Sequence, residues 1–210
     1  ALGGLVPLKT HEILAILEGI REETGGDVAL HLLGITRLEN FDAYRRAGVV
    51  SFDSTSPLLR AFKDAKHNYY SADPGGHYTA VRIPQSDAPK MLRKIRSGTV
   101  EQARVFRAEK ECRALMRDLD SGKASVDAVL EALVAYADLF ETRDKLKWSA
   151  IRRTLTDQPW KQCPCPICKT LSAEVIIFRG ANRNRRRGFH NLWWTYQQLQ
   201  QYRQTEKDSQ

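Results

Sequence analysis

The residues best suited to chemistry in this 210-residue chain are Cys163, Cys165 and Cys168, followed at a distance by His190. Three thiols so close in sequence, on a segment interrupted by prolines, converge on a common partner. Zn²⁺ takes four tetrahedral ligands from Cys and His. Three thiolates and one imidazole fill that coordination and leave no open position for a substrate. The spacing therefore predicts a structural zinc ion rather than a catalytic one.

Two alternatives to this zinc site stay open at the level of sequence. The cysteines could form one disulfide with a spare thiol, or remain free. The fourth ligand could also be another histidine, and the candidates are His11, His31, His67 and His77. Clustered thiols suit a metal in a reducing compartment, which favours zinc and a cytoplasmic protein.

The charge of the chain favours an anionic partner. The net charge is +8 and the pI is near 9.4, and nucleic acid is the commonest partner of so basic a protein. Residues 179–188 hold five arginines and no lysine, which predicts a flexible loop that contacts nucleic-acid phosphates. These arginines are Arg179, Arg183, Arg185, Arg186 and Arg187. The alternative is an ordinary solvated charged face.

Residues 60–70 also interleave basic and aromatic side chains, a pattern that suits phosphate contact combined with base stacking. The basic members are Arg60, Lys63, Lys66 and His67, and the aromatic members are Phe62, Tyr69 and Tyr70. A solvated amphipathic segment would show the same pattern. The sequence leaves both interpretations open.

The first part of the chain alternates helix and strand. Apolar residues recur at helical spacing between Thr10, a favourable N-cap, and the glycine pair at 25–26. Residues 28–35 form a nearly continuous apolar run, typical of a strand buried on both faces of a parallel sheet. A short helix over 38–47 and a strand over 49–52 follow. This order predicts a strand-helix-strand unit.

Asp53 directly follows the second of these strands. Enzymes with a (β/α)8 barrel place their chemistry at the carboxyl ends of the strands, so Asp53 is a candidate catalytic carboxylate. The alternative is an N-cap for the next helix, a role that Ser54 or Ser56 could fill equally well. Spacing alone does not decide between these roles.

Residues 84–150 contain two amphipathic stretches that predict an antiparallel helical hairpin turning near residues 121–122. Cys112 lies on the apolar stripe of the first and is expected to be a buried small hydrophobe. Beyond the cysteines, a strand is expected over 173–178, and His190 is expected to open a last helix. The sequence contains no apolar run of about 18 residues and no signal-peptide pattern.

Several of these strings together resemble the C-terminal half of tRNA-guanine transglycosylases. They are Gly3-Gly4-Leu5, residues 31–35 (HLLGI), residues 48–54 (GVVSFDS) and the Cys-x-Cys-x-x-Cys motif with its distant histidine. Residues 51–58 (SFDSTSPL) and 179–191 (RGANRNRRRGFHN) look more closely like the DpdA-like branch, which places a deazaguanine base into DNA. The resemblance covers residues 1 to about 70 and 150–200.

The resemblance implies an α/β fold, the C-terminal part of a TIM (β/α)8 barrel with a zinc-binding subdomain and an inserted α-helical hairpin. Residues 1–83 would hold barrel units with the nucleophile, 84–150 the hairpin, and 151–210 the zinc subdomain and last helix. The chain begins with Ala1 and a glycine pair without a preceding strand, so we expect a fragment or a processed chain. The family's general acid/base and base-recognising aspartates would lie upstream.

The resemblance also assigns roles. Asp53 matches the family's nucleophile, which forms a covalent aspartyl intermediate while guanine in DNA is exchanged for a 7-deazaguanine base. The positions that match base-binding residues are Gly3, Gly4, Leu33 and Gly34. The alternatives are exchange in tRNA, or a zinc-dependent nucleic-acid-binding subunit without catalysis. Partners would be nucleic acid, the deazaguanine base, and an N-terminal barrel half or a homodimer partner.

Overall fold

The computed structural model describes residues 1–35, 37–64, 66–71 and 76–207. Contacts divide this chain into two compact units. The first unit consists of Ala1–Leu59 together with the chain from Thr195 onward, and the second is Arg60–Trp194. The three-segment division inferred from sequence stays a prediction.

The first unit contains the expected strand-helix-strand arrangement. Its elements are α1 (Thr10–Thr24), β1 (Leu30–Leu32), a 3-10 turn (Leu38–Asn40), α2 (Phe41–Arg46) and β2 (Val49–Phe52), followed by α3 (Ser56–Lys63), which continues into the second unit. Strand β1 is shorter than the apolar run around it. Gly48, with φ of 88°, provides the left-handed turn between α2 and β2.

Strands β1 and β2 are parallel, and Leu2 forms a further parallel bridge to Leu32. The register pairs His31 with Ser51 and Leu32 with Phe52. Along β1 the outer residues Leu30 and Leu32 are buried while His31 is half-buried. One face of β1 packs on α1 and α2 in the apolar cluster, and the other face is only partly covered. The expectation of a strand buried on both faces is therefore wrong.

The second unit is mainly helical. Its helices are α4 (Pro89–Arg96), α5 (Gln102–Asp120), α6 (Val126–Leu139), α7 (Trp148–Asp157), α8 (Pro159–Gln162), α9 (Pro166–Leu171) and α10 (Gly180–Lys207), the last of which continues into the first unit. Its strands are β3 (Tyr69–Tyr70), β4 (His77–Tyr78), β5 (Val81–Arg82) and β6 (Ile177–Phe178). Strands β3 and β4 pair antiparallel, whereas β5 and β6 pair parallel.

Helices α5 and α6 form the predicted hairpin. The turn at Ser121 and Gly122 carries a left-handed glycine, and the Ser125 side chain caps α6 by accepting the N–H of Ala128 at 3.1 Å. Cys112 is 1% exposed, which confirms that it is a core residue. Burial raises the pKa of this thiol to about 12.

Two predictions at the C-terminal end need correction. The strand expected over 173–178 is reduced to β6, because Ser172–Glu174 is a 3-10 turn. The flexible arginine loop expected over 179–188 is instead the first part of α10, so His190 lies inside a helix and does not open it. Arginine is a good helix former, and this stretch contains no proline. No helix of the described residues is long and apolar enough to cross a membrane.

Candidate metal centre and active-site edge

Cys163, Cys165, Cys168 and His190 meet in the core of the second unit, as the spacing predicts. Their ligand atoms all lie within 4.8 Å of one another, and all four residues are buried. The Nδ1 atom of His190 lies 3.4 to 3.5 Å from each of the three Sγ atoms. The rival histidines are not part of this cluster among the described residues. Four inward-facing donors at these separations could hold one metal ion.

Local structure explains why these side chains converge. Cys165 is the N-cap of α9, and its Sγ accepts the backbone N–H of Cys168 at 3.2 Å. Pro166 follows at the first helical position, where its fixed φ favours the turn. The loop and the first turn of α9 thus present three thiols to one point. His190 reaches the same point from α10.

The neighbours of His190 fix its orientation. Its Nε2 donates to the carbonyl of Tyr70 at 2.8 Å, so Nδ1 carries the lone pair that faces the thiols. The ring of Tyr69 stacks on the imidazole with centroids 3.9 Å apart, and its hydroxyl lies 3.2 Å from Sγ of Cys168. Asn191 accepts the N–H of Tyr70 at 3.0 Å. The sequence pattern favoured base stacking for Tyr69 and Tyr70, but both are buried beside the metal site instead. Their supporting role could not be read from the sequence, because β3 is distant from the cysteine motif in the chain.

Electrostatics also favour a cation in the cluster. Contacts with the Cys165 and Cys168 thiols lower the pKa of Cys163, whereas the neighbouring Cys163 raises the pKa of the other two. Without a cation, the cluster favours one thiolate, on Cys163, and keeps the other two thiols protonated. A divalent ion removes this repulsion and allows three thiolates together.

A second candidate site lies in the first unit, at the carboxyl ends of the parallel segments. The N–H of Leu2 donates to His31 O at 2.7 Å, and the N–H of Leu33 donates to Leu2 O at 2.9 Å. The backbone N–H of Asp53 donates to Leu32 O at 3.1 Å. Three chain segments therefore end side by side, followed by Gly3, Leu33 and Asp53.

The Asp53 carboxylate is exposed and is held at this edge. Its Oδ1 accepts the backbone N–H of Gly34 at 2.7 Å. In the described part of the chain, the Asp53 side chain does not bond to α3, and the N–H of Ser56 at the start of that helix donates to the Ser54 hydroxyl at 3.0 Å. Asp53 is thus tied to the neighbouring strand, with its second oxygen free of hydrogen bonds among the described residues.

Glycine at position 34 has a steric reason. Its φ is 78°, and a Cβ added there would lie 2.9 Å from Cγ2 of Val6. A Cβ on Gly3 would meet Cδ1 of Leu33 at 3.5 Å, which is ordinary contact. The Leu33 side chain itself is 41% exposed. The edge therefore combines close-packed backbone, an exposed apolar side chain and one carboxylate.

No family model matches the chain. A curated protein of Salmonella montevideo named DNA-guanine transglycosylase is 46% identical over 203 residues. The chain belongs to the tRNA-guanine transglycosylase family. The match covers 95% of this chain and 48% of the relative, so the chain spans about half the length of that protein.

In the structure, the five arginines expected to contact nucleic acid fall into three groups. Arg179 pairs with the buried Glu109, and Arg183 pairs with Glu174. Arg185 is exposed and Arg186 is partly exposed. Only the latter two present guanidinium groups to solvent without an ion pair in the described structure.

Arg187 is the clearest correction, because it is 0% exposed. Its guanidinium donates to Ala61 O at 2.6 Å, Asn184 Oδ1 at 2.8 Å and Ile177 O at 3.2 Å. Burial lowers the pKa of Arg187 to about 9, which still leaves it charged at neutral pH. A side chain enclosed in this way joins α10 to the core and does not reach a phosphate.

We therefore expect Arg187→Ala to lower the free energy of unfolding by about 3 kcal/mol or more, since it leaves buried carbonyls without a donor and opens a cavity. Arg185→Ala, on the same helix but exposed, should change it by less than about 0.5 kcal/mol. Chemical denaturation followed by circular dichroism measures both variants. Equal stability of the two would contradict the structural role of Arg187.

Proposed function

We propose that this chain is the nucleophile-bearing C-terminal part of an enzyme of the DpdA-like branch that replaces guanine in DNA by a 7-deazaguanine base. The observation that supports it most is the meeting of Gly3, Leu33, Gly34 and Asp53 at one edge of parallel segments. The name of the Salmonella montevideo relative favours DNA over tRNA as the polymer.

In the proposed reaction, a carboxylate oxygen of Asp53 attacks C1′ of the target deoxyribose while the bond from C1′ to guanine N9 breaks. The bonding electron pair leaves with guanine, which takes a proton from an acid elsewhere in the enzyme. The ring nitrogen of the incoming deazaguanine gives its proton back to that same group, now a base, and attacks C1′, while the bond from C1′ to the Asp53 oxygen breaks and releases the carboxylate. The covalent intermediate divides one difficult displacement into two easier steps.

The edge around Asp53 suits an extruded base. A nucleotide must leave the stack before its C1′ can be reached. The exposed Leu33 offers an apolar surface, while Gly3, Gly4 and Gly34 allow the backbone to approach a planar ring closely. The hydrogen bond from Gly34 orients Asp53 and leaves its other oxygen for attack.

We infer that the first unit is a segment of a (β/α)8 barrel. Its parallel strands are covered on one face by α1 and α2, and the other face carries His31 and Ser51, hydrogen-bonded at 2.8 Å. In a barrel this second face would point to the interior. The remaining strands, and the carboxylates for proton transfer and base recognition, would come from an N-terminal half or a partner subunit.

We infer that the metal of the Cys3His cluster is Zn²⁺ and that its role is structural. Bond lengths of about 2.3 Å to sulfur and 2.0 Å to nitrogen in a tetrahedron give an N to S separation of about 3.5 Å. The observed separations are 3.4 to 3.5 Å. Zinc bound there would tie α9 to α10 and to Tyr70. Because clustered thiols without a disulfide suit a metal in a reducing compartment, we infer a cytoplasmic location.

Covalent trapping tests the proposed function. The protein is incubated, with and without the N-terminal half that would supply the missing carboxylates, with guanine-containing DNA or tRNA and a deazaguanine base. The mixture is then denatured and analysed by mass spectrometry. An adduct on Asp53 with DNA supports the proposal, and an adduct with tRNA alone would move the substrate to tRNA. Salt-sensitive binding of DNA without any adduct would favour the non-catalytic binding subunit.

The exposed arginines of α10 give a further test. We expect Arg185→Ala combined with Arg186→Ala to weaken DNA binding and to reduce the slope of log K against log salt by about 1.8, since each phosphate contact contributes about 0.9. Fluorescence anisotropy at several salt concentrations measures this slope. Arg93→Ala combined with Arg96→Ala removes the same charge from α4 and should leave the slope nearly unchanged. Equal slopes in both double variants would exclude a direct contact by Arg185 and Arg186.

A further inference from the structure

Two adjoining cavities in the second unit form a groove that the arginine pattern did not anticipate. The first has a volume of about 220 Å³ and the second about 290 Å³. Both are bordered by Lys66, Thr79 and Lys147, so they are neighbours on the surface. We call this feature the lysine groove. It lies between the segment around β4 and the start of α7.

The charge of the lysine groove is strongly one-sided. Six lysine and arginine side chains border it, against one carboxylate, that of Asp64. The six cations are exposed, and they are Lys63, Lys66, Arg82, Lys145, Lys147 and Arg153. Within the described residues, Arg153 alone of the six forms an ion pair, with Asp157. Two histidines, His67 and His77, border the same groove.

The single carboxylate is occupied with the backbone. Oδ1 of Asp64 accepts the N–H groups of Lys66 at 2.7 Å and His67 at 2.9 Å. Burial opposes the ionisation of Asp64, but these hydrogen bonds outweigh it and hold its pKa below the ordinary value. Asp64 therefore binds the backbone of Lys66 and His67 and is not free to pair with the cations of the groove.

The walls of the groove are held by a hydrogen-bonded frame. The hydroxyl of Thr79 donates to Lys66 O at 2.5 Å, and the hydroxyl of Thr154 donates to Thr79 O at 2.8 Å. Asn68 Oδ1 accepts the N–H of Ala80 at 2.7 Å. Thr79 thus holds the backbone that carries Lys66, at the centre of the groove.

Helix α7 adds to the positive potential. Its N-cap residue Lys147 and its first-turn residue Ala150 both border the groove, and no side chain caps this helix. The free N–H groups and the dipole of a helix N-terminus favour an anion. Phe62 and Leu146, both half-buried, provide an apolar stretch beside the cations.

We propose that the lysine groove is a track for the phosphodiester backbone of a nucleic-acid strand, distinct from the surface around Arg185 and Arg186. Exposed cations along a concave surface complement successive phosphates without reading base sequence. The apolar stretch at Phe62 and Leu146 would lie against sugars. The proposal rests on the proposed function for the identity of the polymer, DNA.

The test pairs two double variants that lose the same charge. Lys66→Gln with Lys147→Gln neutralises the centre of the groove, while Lys110→Gln with Lys123→Gln neutralises exposed lysines on α5 and its following turn. We expect the groove variant to reduce the salt slope for a labelled DNA duplex by about 1.8, from two lost phosphate contacts. The control variant should keep the slope of the unaltered protein.

Lysine acetylation of the unaltered protein gives an independent readout that needs no variant. Bound DNA should reduce the acetylation of Lys63, Lys66 and Lys147, and should leave Lys110 and Lys123 unprotected, as measured by peptide mass spectrometry. An unchanged slope in the groove variant, or no DNA binding at all, would overturn the proposal. Protection by inorganic phosphate as complete as that by DNA would also overturn it, and would assign a small-anion site.

Catalysis separates this proposal from the proposed function. DNA binding that depends on the groove, without a covalent adduct on Asp53, would support the phosphate track and contradict the proposed base exchange. If the adduct forms equally well in the Lys66→Gln, Lys147→Gln variant at low DNA concentration, the proposed base exchange is supported and the phosphate track is contradicted.

Discussion

Asp53→Asn is expected to abolish the covalent adduct with guanine-containing DNA and to lower the rate of base exchange by about four orders of magnitude. The amide is a poor nucleophile, so neither oxygen-to-carbon bond formation nor its reversal can proceed at a useful rate. The asparagine side chain has the same shape, and its Oδ1 can still accept the N–H of Gly34. The folded edge should therefore survive while its chemistry is lost.

Mass spectrometry of the denatured protein and single-turnover base exchange measure these two losses. Asp27→Asn is a suitable control, because Asp27 is an exposed carboxylate of the same unit that lies outside the edge. It should leave both the adduct and the rate unchanged. An adduct that persists in Asp53→Asn would show that another residue is the nucleophile, and Asp53 would then be only a structural link to Gly34.

The sequence predicts the edge around Asp53 well, for a physical reason. Alternation of strand, helix and strand implies a right-handed parallel unit, and parallel strands bring their carboxyl ends together. The residues after β1 and β2 must then be neighbours. What the sequence does not show is which backbone group meets the carboxylate. The bond from Gly34 depends on a left-handed glycine and on the irregular register between β1 and β2.

The start of α10 was missed because its buried face is polar. Asn184, Arg187 and Asn191 recur at helical spacing, and each is buried. A search for apolar periodicity does not detect such a stripe. The polar residues nevertheless carry a signal. His190 is expected to face the buried metal, and its neighbour Asn191 continues the helical spacing of Asn184 and Arg187. Buried polar residues need partners: Asn191 accepts from β3, Arg187 donates to β6 and to Ala61 O, and Asn184 accepts from Arg187.

The cysteine cluster was predictable for the opposite reason. Metal ligands are identified by residue type and spacing, independently of the secondary structure that carries them. The prediction of the four ligands is therefore correct even though residues 179–188 were wrongly predicted to form a loop. Its supporting contacts from Tyr69 and Tyr70 depend on tertiary structure and could not be found this way.

Loss of the metal is expected to unfold the second unit. The four ligands lie within its apolar core and connect α9, α10 and β3. A structural zinc site contributes on the order of 10 kcal/mol or more, which is comparable to the whole stability of a domain. We therefore expect about one zinc per chain by elemental analysis. A strong chelator should abolish cooperative unfolding of Arg60–Trp194.

His190→Ala provides the matching variant, since it removes one ligand and the donor to Tyr70 O. It should lose zinc and expose the amides of α5 and α9 to hydrogen exchange, while α1 in the first unit stays protected. Cys112→Ala is the control, because this cysteine is buried in the same core but is not a ligand. It should cost about 1 kcal/mol and keep the metal.

The two outcomes separate a metal clamp from an ordinary buried thiol cluster. If the four residues only pack, His190→Ala and Cys112→Ala should be similarly tolerated, and a chelator should have no effect on either. If they hold zinc, the chelator should bring the unaltered protein to the state of His190→Ala and add nothing to that variant. The second pattern requires the three thiolates to coexist, and a bound cation would balance their mutual repulsion.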